Sequence, residues 1–132
     1  MSQENVQAMH TWIEAYNRGD IEAMRPMMHP NFTFRTSGTF PGVDPVYEGH
    51  AGFTRFYEDF NGTWGAFSVS IRELRDCGDQ GLVLGMFEGR ARDGLEVRRQ
   101  TGIVYTFRDG LVLRIQNYGG WWQALAALGL SE

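Results

Sequence analysis

The sequence predicts an α+β fold in which helices come first along the chain and an antiparallel sheet follows. Up to about residue 60, apolar residues recur at the spacing of a helix, whereas beyond about residue 66 they alternate as in a strand. Two Asp-Gly pairs, Asp93-Gly94 and Asp109-Gly110, separate the alternating segments and are typical of β-hairpin turns. The length of 132 residues fits a single domain spanning 1–132.

The first half of the chain predicts three helices and one short strand. The first helix ends at Gly19, and Asp20 caps a second helix that Pro26 shortens or kinks. A short strand follows, then a Gly- and Pro-rich loop at 38–48 that is a candidate lid, and a third helix from about His50 to Phe60. The apolar stripes of these elements are Val6, Met9, Trp12, Ile13 and Tyr16, then Phe32 and Phe34, then Phe53, Phe56, Tyr57 and Phe60.

The second half predicts a meander of four strands and a closing helix. The strands cover 67–71, 82–92, about 95–107 and 111–118, and the helix covers 121–128. Alternation then assigns each residue to a face of the sheet. It places four candidate residues on the inner face, toward the helices: Arg99, Ile103, Tyr105 and Asn117.

The strand at 82–92 is unusual because both of its faces are apolar near its start. Gly81, Gly85 and Gly89 share the inner face, where missing side chains are expected to leave volume and let the sheet bend. The other face carries Leu82, Leu84 and Met86, which three short helices cannot also cover. We therefore expect a homodimer through this outer face of the sheet.

Composition excludes several classes of function. The chain has no Lys, so a Schiff-base lysine, a pyridoxal-phosphate attachment point and a phosphate-loop lysine are excluded. The single Cys77 and three widely spaced His residues predict no metal site and no cofactor. A net charge of −4 argues against nucleic acid as a partner, and no apolar run is long enough for a membrane span. The N-terminus lacks the order of a signal peptide, so we expect a cytoplasmic location.

Short motifs are distributed over nearly the whole chain: Tyr16-Asn17-Arg18-Gly19-Asp20, His29-Pro30-Asn31-Phe32, Tyr47-Glu48-Gly49-His50, Val104 to Val112, and Tyr118 followed by Trp122-Gln123-Ala124-Leu125 and Leu128-Gly129-Leu130. In order and spacing they resemble the SnoaL-like branch of the nuclear-transport-factor-2-like superfamily. The resemblance implies a cone-shaped α+β barrel, a strongly curved antiparallel sheet wrapped around three N-terminal helices and a deep pocket, with a short C-terminal helix. It also implies a bacterial protein that is usually a homodimer.

The catalytic residues of the family's enzymes do not carry over to this chain. The histidine of the polyketide cyclases falls on Ile103, and their aspartate falls on or near Asn117, whose neutral amide cannot act as a base. The Arg-x-Asp motif of the epoxide hydrolases is matched only by Arg18 and Asp20, in a turn between helices. The tyrosine, base and acid of the ketosteroid isomerases fall on Trp12, on Arg35 or Thr36, and on Ile103.

The aromatic content predicts a hydrophobic pocket for a flat small molecule with one or two oxygens. Its expected lining is Trp12, Tyr16, Phe34, Phe53, Tyr57, Trp64, Phe87, Ile103, Tyr105, Asn117 and Trp121.

The polar candidates within this expected pocket leave two functions open. His50 is either a general base at the pocket mouth or a partly exposed residue of the first helical turn. Arg99 either binds a carboxylate or enolate of the ligand or pairs with a neighbouring carboxylate of the protein. Tyr16 either donates a hydrogen bond to a carbonyl or is a core residue. With Asn117, these groups fit a polyketide cyclase- or isomerase-like enzyme that does proton-transfer chemistry on a hydrophobic carbonyl compound. They fit equally a non-catalytic small-molecule-binding or accessory protein of the same fold.

Overall fold

In a computed structural model, which describes residues 2–131, four α-helices pack with one six-stranded sheet. The α+β class predicted from the sequence is confirmed. The helices and strands in chain order are α1 (Ser2–Arg18), α2 (Ile21–Met24) continued by a 3-10 turn (Arg25–Met27), β1 (Met28–Arg35), β2 (Val46–Glu48), α3 (Gly49–Thr63), β3 (Trp64–Cys77), β4 (Gln80–Ala91), β5 (Glu96–Arg108), β6 (Leu111–Tyr118) and α4 (Trp121–Ala127).

The sheet is curved and unclosed, with the strand order β2-β1-β6-β5-β4-β3. Strands β3 to β6 form the predicted antiparallel meander. Strand β1, however, pairs with β6 in parallel, so the sheet is mixed rather than wholly antiparallel. Parallel neighbours need a long connection, and here the connection runs from residue 36 to residue 110. A pairing between segments so far apart leaves no local signal in the sequence.

A register shift between Thr106 and Phe107 changes which residues of β6 face the helices. Between the turn and the shift, Val112 is buried in the main core, although strict alternation predicts that Leu111 and Leu113 face inward. After it, Ile115 is buried and Asn117 faces inward, as expected. One extra residue in a strand reverses the faces on one side of the irregularity only.

The outer face of β4 is covered by the chain's own C-terminal helix. Leu82 and Leu84 pack with Val104, and α4 adds Ala124 and Leu125 to form a second hydrophobic cluster. The two leucines are 0% and 5% exposed. The expectation that a partner subunit is needed to cover them is therefore wrong, because the fourth helix of the same chain packs on them.

The inward glycines of β4 make room for core side chains, not for a ligand. A Cβ at Gly81 would lie 2.5 Å from the Met9 sulfur, and one at Gly89 would lie 2.8 Å from both the Phe87 and Trp64 rings. At Gly85 a Cβ would meet the Ser70 carbonyl oxygen at 2.8 Å. The expected free volume is thus filled by neighbouring side chains and by close approach of β3.

In the part of the chain described by the structure, no helix is long and apolar enough to cross a membrane. Nor do three or more His, Cys, Asp or Glu side chains of residues 2–131 come together as metal ligands.

Candidate functional site

A small cavity lies inside the concave face of the sheet, enclosed by α1, α3 and the loop at 36–45. Its volume is about 40 Å³. The walls are mainly aromatic and aliphatic, with a few hydroxyl and amide groups. The lining residues are Trp12, Ile13, Tyr16, Phe34, Thr36, Ser37, Phe40, Val43, Phe53, Phe56, Phe60, Val69, Phe87, Thr101, Ile103, Tyr105, Ile115 and Asn117.

Two polar atoms of the lining are buried and have no hydrogen-bond partner among the described residues: the Tyr105 hydroxyl and the Asn117 Oδ1. Strand pairing brings them together, because Ile103 lies opposite Asn117 and Tyr105 lies opposite Ile115 on β5 and β6. Tyr105 and Asn117 are thus diagonal neighbours on one face. Buried polar groups are nearly always paired, so these two mark the polar part of the cavity.

Both tyrosines of the lining are neutral hydrogen-bonding groups. Burial raises the pKa of Tyr105, because the phenolate would lose its hydration. Burial also raises the pKa of Tyr16, and the nearby Tyr57 raises it further. Each phenol therefore keeps its proton at neutral pH and can donate a hydrogen bond.

Eight of the eleven residues expected from the sequence to form the lining do line this cavity, and three lie elsewhere. Tyr57 sits behind Tyr16, where its hydroxyl donates to the Tyr16 carbonyl at 3.0 Å. Trp64 packs behind Phe87, with ring centroids 5.3 Å apart. Trp121 lies on the outer face, where its Nε1 donates to the Gly85 carbonyl at 2.8 Å. Those that do line it are Trp12, Tyr16, Phe34, Phe53, Phe87, Ile103, Tyr105 and Asn117.

His50 does not reach the cavity. It lies in the first turn of α3, where its Nδ1 is 3.2 Å from a guanidinium nitrogen of Arg25. Arg25 in turn forms an ion pair with Glu22 at 2.8 Å. The Nε2 atom of His50 is buried without a partner among the described residues. His50 is therefore not one of the residues that line the cavity.

Arg99 is not a lining residue, but it is partly exposed and stacks on Phe40 of the lining, at a position that we call the mouth of the cavity. It forms no ion pair with a carboxylate among residues 2–131. Its guanidinium carbon stands 4.5 Å from the centroid of the Phe40 ring, over the ring face. Its NH1 donates to the Thr39 carbonyl oxygen at 3.4 Å. The neighbouring Arg98 points to the other face of the sheet and pairs with Glu88 at 2.8 Å.

Sequence reasoning missed the loop residues that close the cavity. Thr36, Ser37, Phe40 and Val43 all line it. The loop at 38–48 was identified as a candidate lid from its Gly and Pro content, but loop residues follow no periodicity, so no side chain in it could be assigned to the interior. The sequence feature that indicates an inward-facing loop residue is Phe40, an aromatic residue within a polar, Gly-rich loop.

The cavity lining contains no group that is charged at neutral pH. Among the lining residues, all of which belong to the described chain, there is no carboxylate, imidazole, guanidinium or thiol. The polar groups are hydroxyls and one carboxamide. Such a site can position an oxygen atom through hydrogen bonds, but it holds no side chain that abstracts a proton from carbon at neutral pH.

Residues 9–115 match the model of a protein family described as "SnoaL-like domain". No curated protein matches the sequence.

Solved structures share the fold at low sequence identity. TerC, co-crystallised with polyporic acid, is 22% identical over 96% of this chain and 98% of its own, with a TM-score of 0.81. An NTF2-like protein of unknown function from Burkholderia pseudomallei K96243 is 18% identical over 95% and 97%, with a TM-score of 0.82. A proposed SnoaL-like polyketide cyclase from Jannaschia sp. CCS1 is 15% identical over 99% and 95%, with a TM-score of 0.77.

Proposed function

Because the chain belongs to the SnoaL-like domain family, we propose that it binds a flat, hydrophobic, oxygen-bearing small molecule in the cavity. The observation that carries this proposal is the pair of buried atoms without partners, the Tyr105 hydroxyl and the Asn117 Oδ1. Leaving a buried polar group unpaired costs about 1–3 kcal/mol. A ligand that supplies the missing partners recovers that free energy on binding.

The two groups define the chemistry of the ligand at this end of the cavity. A hydroxyl of the ligand can donate to the Asn117 Oδ1, and an oxygen of the ligand can accept from the Tyr105 hydroxyl. Phenols and enols carry such a group, and the apolar walls suit the rest of a ring system. Among the relatives, TerC was crystallised with polyporic acid, and another is named for cyclase activity on polyketides, which supports a ligand of this kind.

Binding without turnover is the function that the lining favours. Ring closure or isomerisation of a carbonyl compound begins with a base that removes a proton from carbon. No lining residue is such a base at neutral pH, and the amide of Asn117 stands where the family's cyclases are expected to have an aspartate.

A second candidate is a proton-transfer enzyme of the cyclase or isomerase type. It is favoured by Tyr105, whose buried, neutral hydroxyl is free to donate to an oxygen on which negative charge develops. Donors of this kind stabilise enolates in water-excluded sites. In this case the base comes from the ligand or from water.

The test of binding compares 2-naphthol with naphthalene, which lacks the hydroxyl, in an NMR titration of the protein. We expect 2-naphthol to bind about fivefold more tightly, since one hydrogen bond contributes about 1 kcal/mol, and to shift the side-chain amide signals of Asn117. The Tyr105→Phe variant should reduce this preference, since one of the two hydrogen bonds to the ligand is lost, and should not lose stability, because the Tyr105 hydroxyl has no partner among the described residues.

Tyr118→Phe is the matched control for this titration, since Tyr118 packs against the second cluster on the outer face. It should retain the preference for 2-naphthol. Equal affinity of the wild-type protein for both compounds, or binding that shifts no signal of a lining residue, would overturn the proposal.

The expected homodimer and the cytoplasmic location stay predictions. With Leu82 and Leu84 covered by α4, the outer-face residue left to support a dimer is Met86, which is partly exposed.

A further inference from the structure

The cavity is far smaller than the compound that the proposed function requires. Sites for small molecules usually enclose about 300–1,000 Å³, against about 40 Å³ here. Part of the wall must therefore move when a ring system enters. The lining residues of the helices and strands belong mainly to the buried core, whereas Phe40 and Val43 of the loop at 36–45 are only partly buried.

Phe40, at the tip of this loop, is held in an aromatic box. Its ring centroid lies 5.4 Å from that of Phe60, 6.0 Å from that of Trp64 and 4.8 Å from that of Phe87. All three contacts are edge-to-face, the arrangement that aromatic rings prefer. Arg99 stacks on the same ring from the side of the mouth. Three aromatic residues and a guanidinium thus surround one ring that comes from a loop.

The base of the loop is held by hydrogen bonds to buried groups, whereas its tip is held mainly by the packing of the Phe40 ring and by the contacts of Arg99. At the base, the Thr36 amide donates to the Pro45 carbonyl at 3.0 Å, and the Asp44 amide donates to the Tyr47 hydroxyl at 2.8 Å. Tyr47 is fully buried and its hydroxyl donates to Asp59 of α3 at 2.7 Å. Phe40 itself lies between two glycines at positive φ, Gly38 and Gly42. The tip can therefore swing while the base stays bound.

Arg99 differs from two other arginines of the sheet because it has no carboxylate partner among residues 2–131. Arg90 and Arg98, on the outer face, are paired with Glu96 and Glu88. Arg99 instead is partly buried on the inner face; among residues 2–131 its guanidinium makes a cation–π contact with the Phe40 ring and a hydrogen bond to the Thr39 carbonyl, but no ion pair. Withdrawal of Phe40 would remove both contacts and leave a guanidinium at the mouth of an apolar site, where it attracts an anion.

We propose that Phe40 occupies the subsite of an aromatic ring of the ligand, and that the ligand is a planar aromatic acid whose anionic oxygen pairs with Arg99 when Phe40 withdraws. This rests on the proposed function, because Tyr105 and Asn117 hold the other end of the same molecule. Arg99 and Ile103 lie on one face of β5, about 13 Å apart at the rise of a strand, and Asn117 lies opposite Ile103. The ligand therefore carries its acid at one end and a hydroxyl at the other.

The probe for the acid is 6-hydroxy-2-naphthoate, and its neutral counterpart is 6-hydroxy-2-naphthamide, with dissociation constants measured by calorimetry. We expect the wild-type protein to prefer the carboxylate by about tenfold, as for a charge-assisted hydrogen bond. Arg99→Gln should abolish this preference; because Arg99 also contacts Phe40 and Thr39, the affinity for the amide can change too, and the ratio of the two dissociation constants is the readout. Arg98→Gln is the matched control, because it removes the same charge one residue away on the outer face, and it should retain the preference.

Phe40→Ala tests the displacement. The wild-type site accepts a ring only in the fraction of molecules in which Phe40 has withdrawn, so removing the ring should tighten binding of both probes by about fivefold or more. Phe40→Leu, which keeps apolar bulk in the box, should tighten binding less. Leu95→Ala is the control for loss of a large apolar side chain, since Leu95 is 62% exposed in a distant turn, and it should change neither affinity.

The outcomes separate this inference from the proposed function. If neither probe binds to the wild type or to Phe40→Ala, the proposed function itself fails. If both probes bind and Tyr105→Phe weakens them, but Arg99→Gln keeps the preference for the carboxylate, or Phe40→Ala leaves both affinities unchanged, only the inference made here is overturned. Thermal unfolding of Phe40→Ala and Phe40→Leu checks that each variant is folded when it is titrated.

Discussion

The phenols of Tyr105 and Tyr16 are taken out of water by folding, and this links stability to pH. Burial raises the pKa of both, so each keeps its proton in the folded protein at a pH where the unfolded chain, with a pKa of about 10, releases it. The unfolded state then binds fewer protons than the folded state. The stabilisation is therefore complete below about pH 10 and is lost as the pH rises above that value.

We accordingly predict that the free energy of unfolding falls steeply above about pH 10. Each buried phenol contributes up to about 1.4 kcal/mol per pH unit to the slope. Tyr105→Phe should make the slope shallower by one such contribution, as measured by urea unfolding at several values between about pH 8 and 11. Thr101→Val alters the same cavity without removing a titrating group and should keep the wild-type slope. An unchanged slope in Tyr105→Phe would contradict the assignment.

Residues of the site could be predicted where one parity of a strand is clearly more apolar than the other. Tyr105 shares its face with Ile103 and Phe107, and Asn117 shares its face with Ile115, so both are predicted on the inner face although a register shift lies nearer the turn. Phe40 could not be found in this way, because a loop has no period. Its role depends on Arg99, Phe60, Trp64 and Phe87, which come from four other segments of the chain.

At the scale of the elements, local signals predicted helices and hairpins but not distant pairings. The first helix, the third helix and the meander follow from periodicity and from the Asp-Gly turns. Strand β2 lies within the segment predicted as a loop, since its three residues are too few to alternate visibly. The parallel pairing of β1 with β6 depends on the packing of the helices between them, which no single segment encodes.

The docking of α4 depends on a glycine in β5. A Cβ at Gly102 would lie 2.5 Å from the Cβ of Ala124 and 3.1 Å from the Gly120 carbonyl oxygen. No other residue type allows the helix to approach the strand this closely. The contact lets α4 cover Leu82 and Leu84, so one glycine determines whether the outer apolar cluster forms.

Gly102→Ala should therefore destabilise the protein by about 1–3 kcal/mol, the usual cost of overpacking, in urea unfolding. Adding Ala124→Gly should recover part of the loss, because it removes the nearer of the two clashing atoms. Gly62→Ala is the control: it lies within α3 with no atom within 4 Å of a new Cβ, and should be neutral or stabilising. A Gly102→Ala protein as stable as wild type would show that α4 docks differently.

For the whole molecule, the open question is whether the site only binds or also moves a proton. The fold positions two neutral groups, Tyr105 and Asn117, at one end of an apolar cavity and one cation, Arg99, at its mouth. Neutral donors stabilise an enolate once it forms, but they do not remove the proton that creates it. The distinction is therefore measurable as exchange of a carbon-bound hydrogen.

The compound suited to this measurement is 2-tetralone, a flat ketone whose α-hydrogens exchange slowly with deuterium oxide. If the protein only binds, its addition at neutral pH should leave the exchange rate, followed by proton NMR, equal to that in buffer. If Tyr105 stabilises an enolate during turnover, the rate should rise, and Tyr105→Phe should lower it by about 10²-fold or more, as loss of an oxyanion donor does. Asn117→Asp supplies the missing carboxylate, so exchange catalysed by this variant alone would show that the wild-type site lacks only its base.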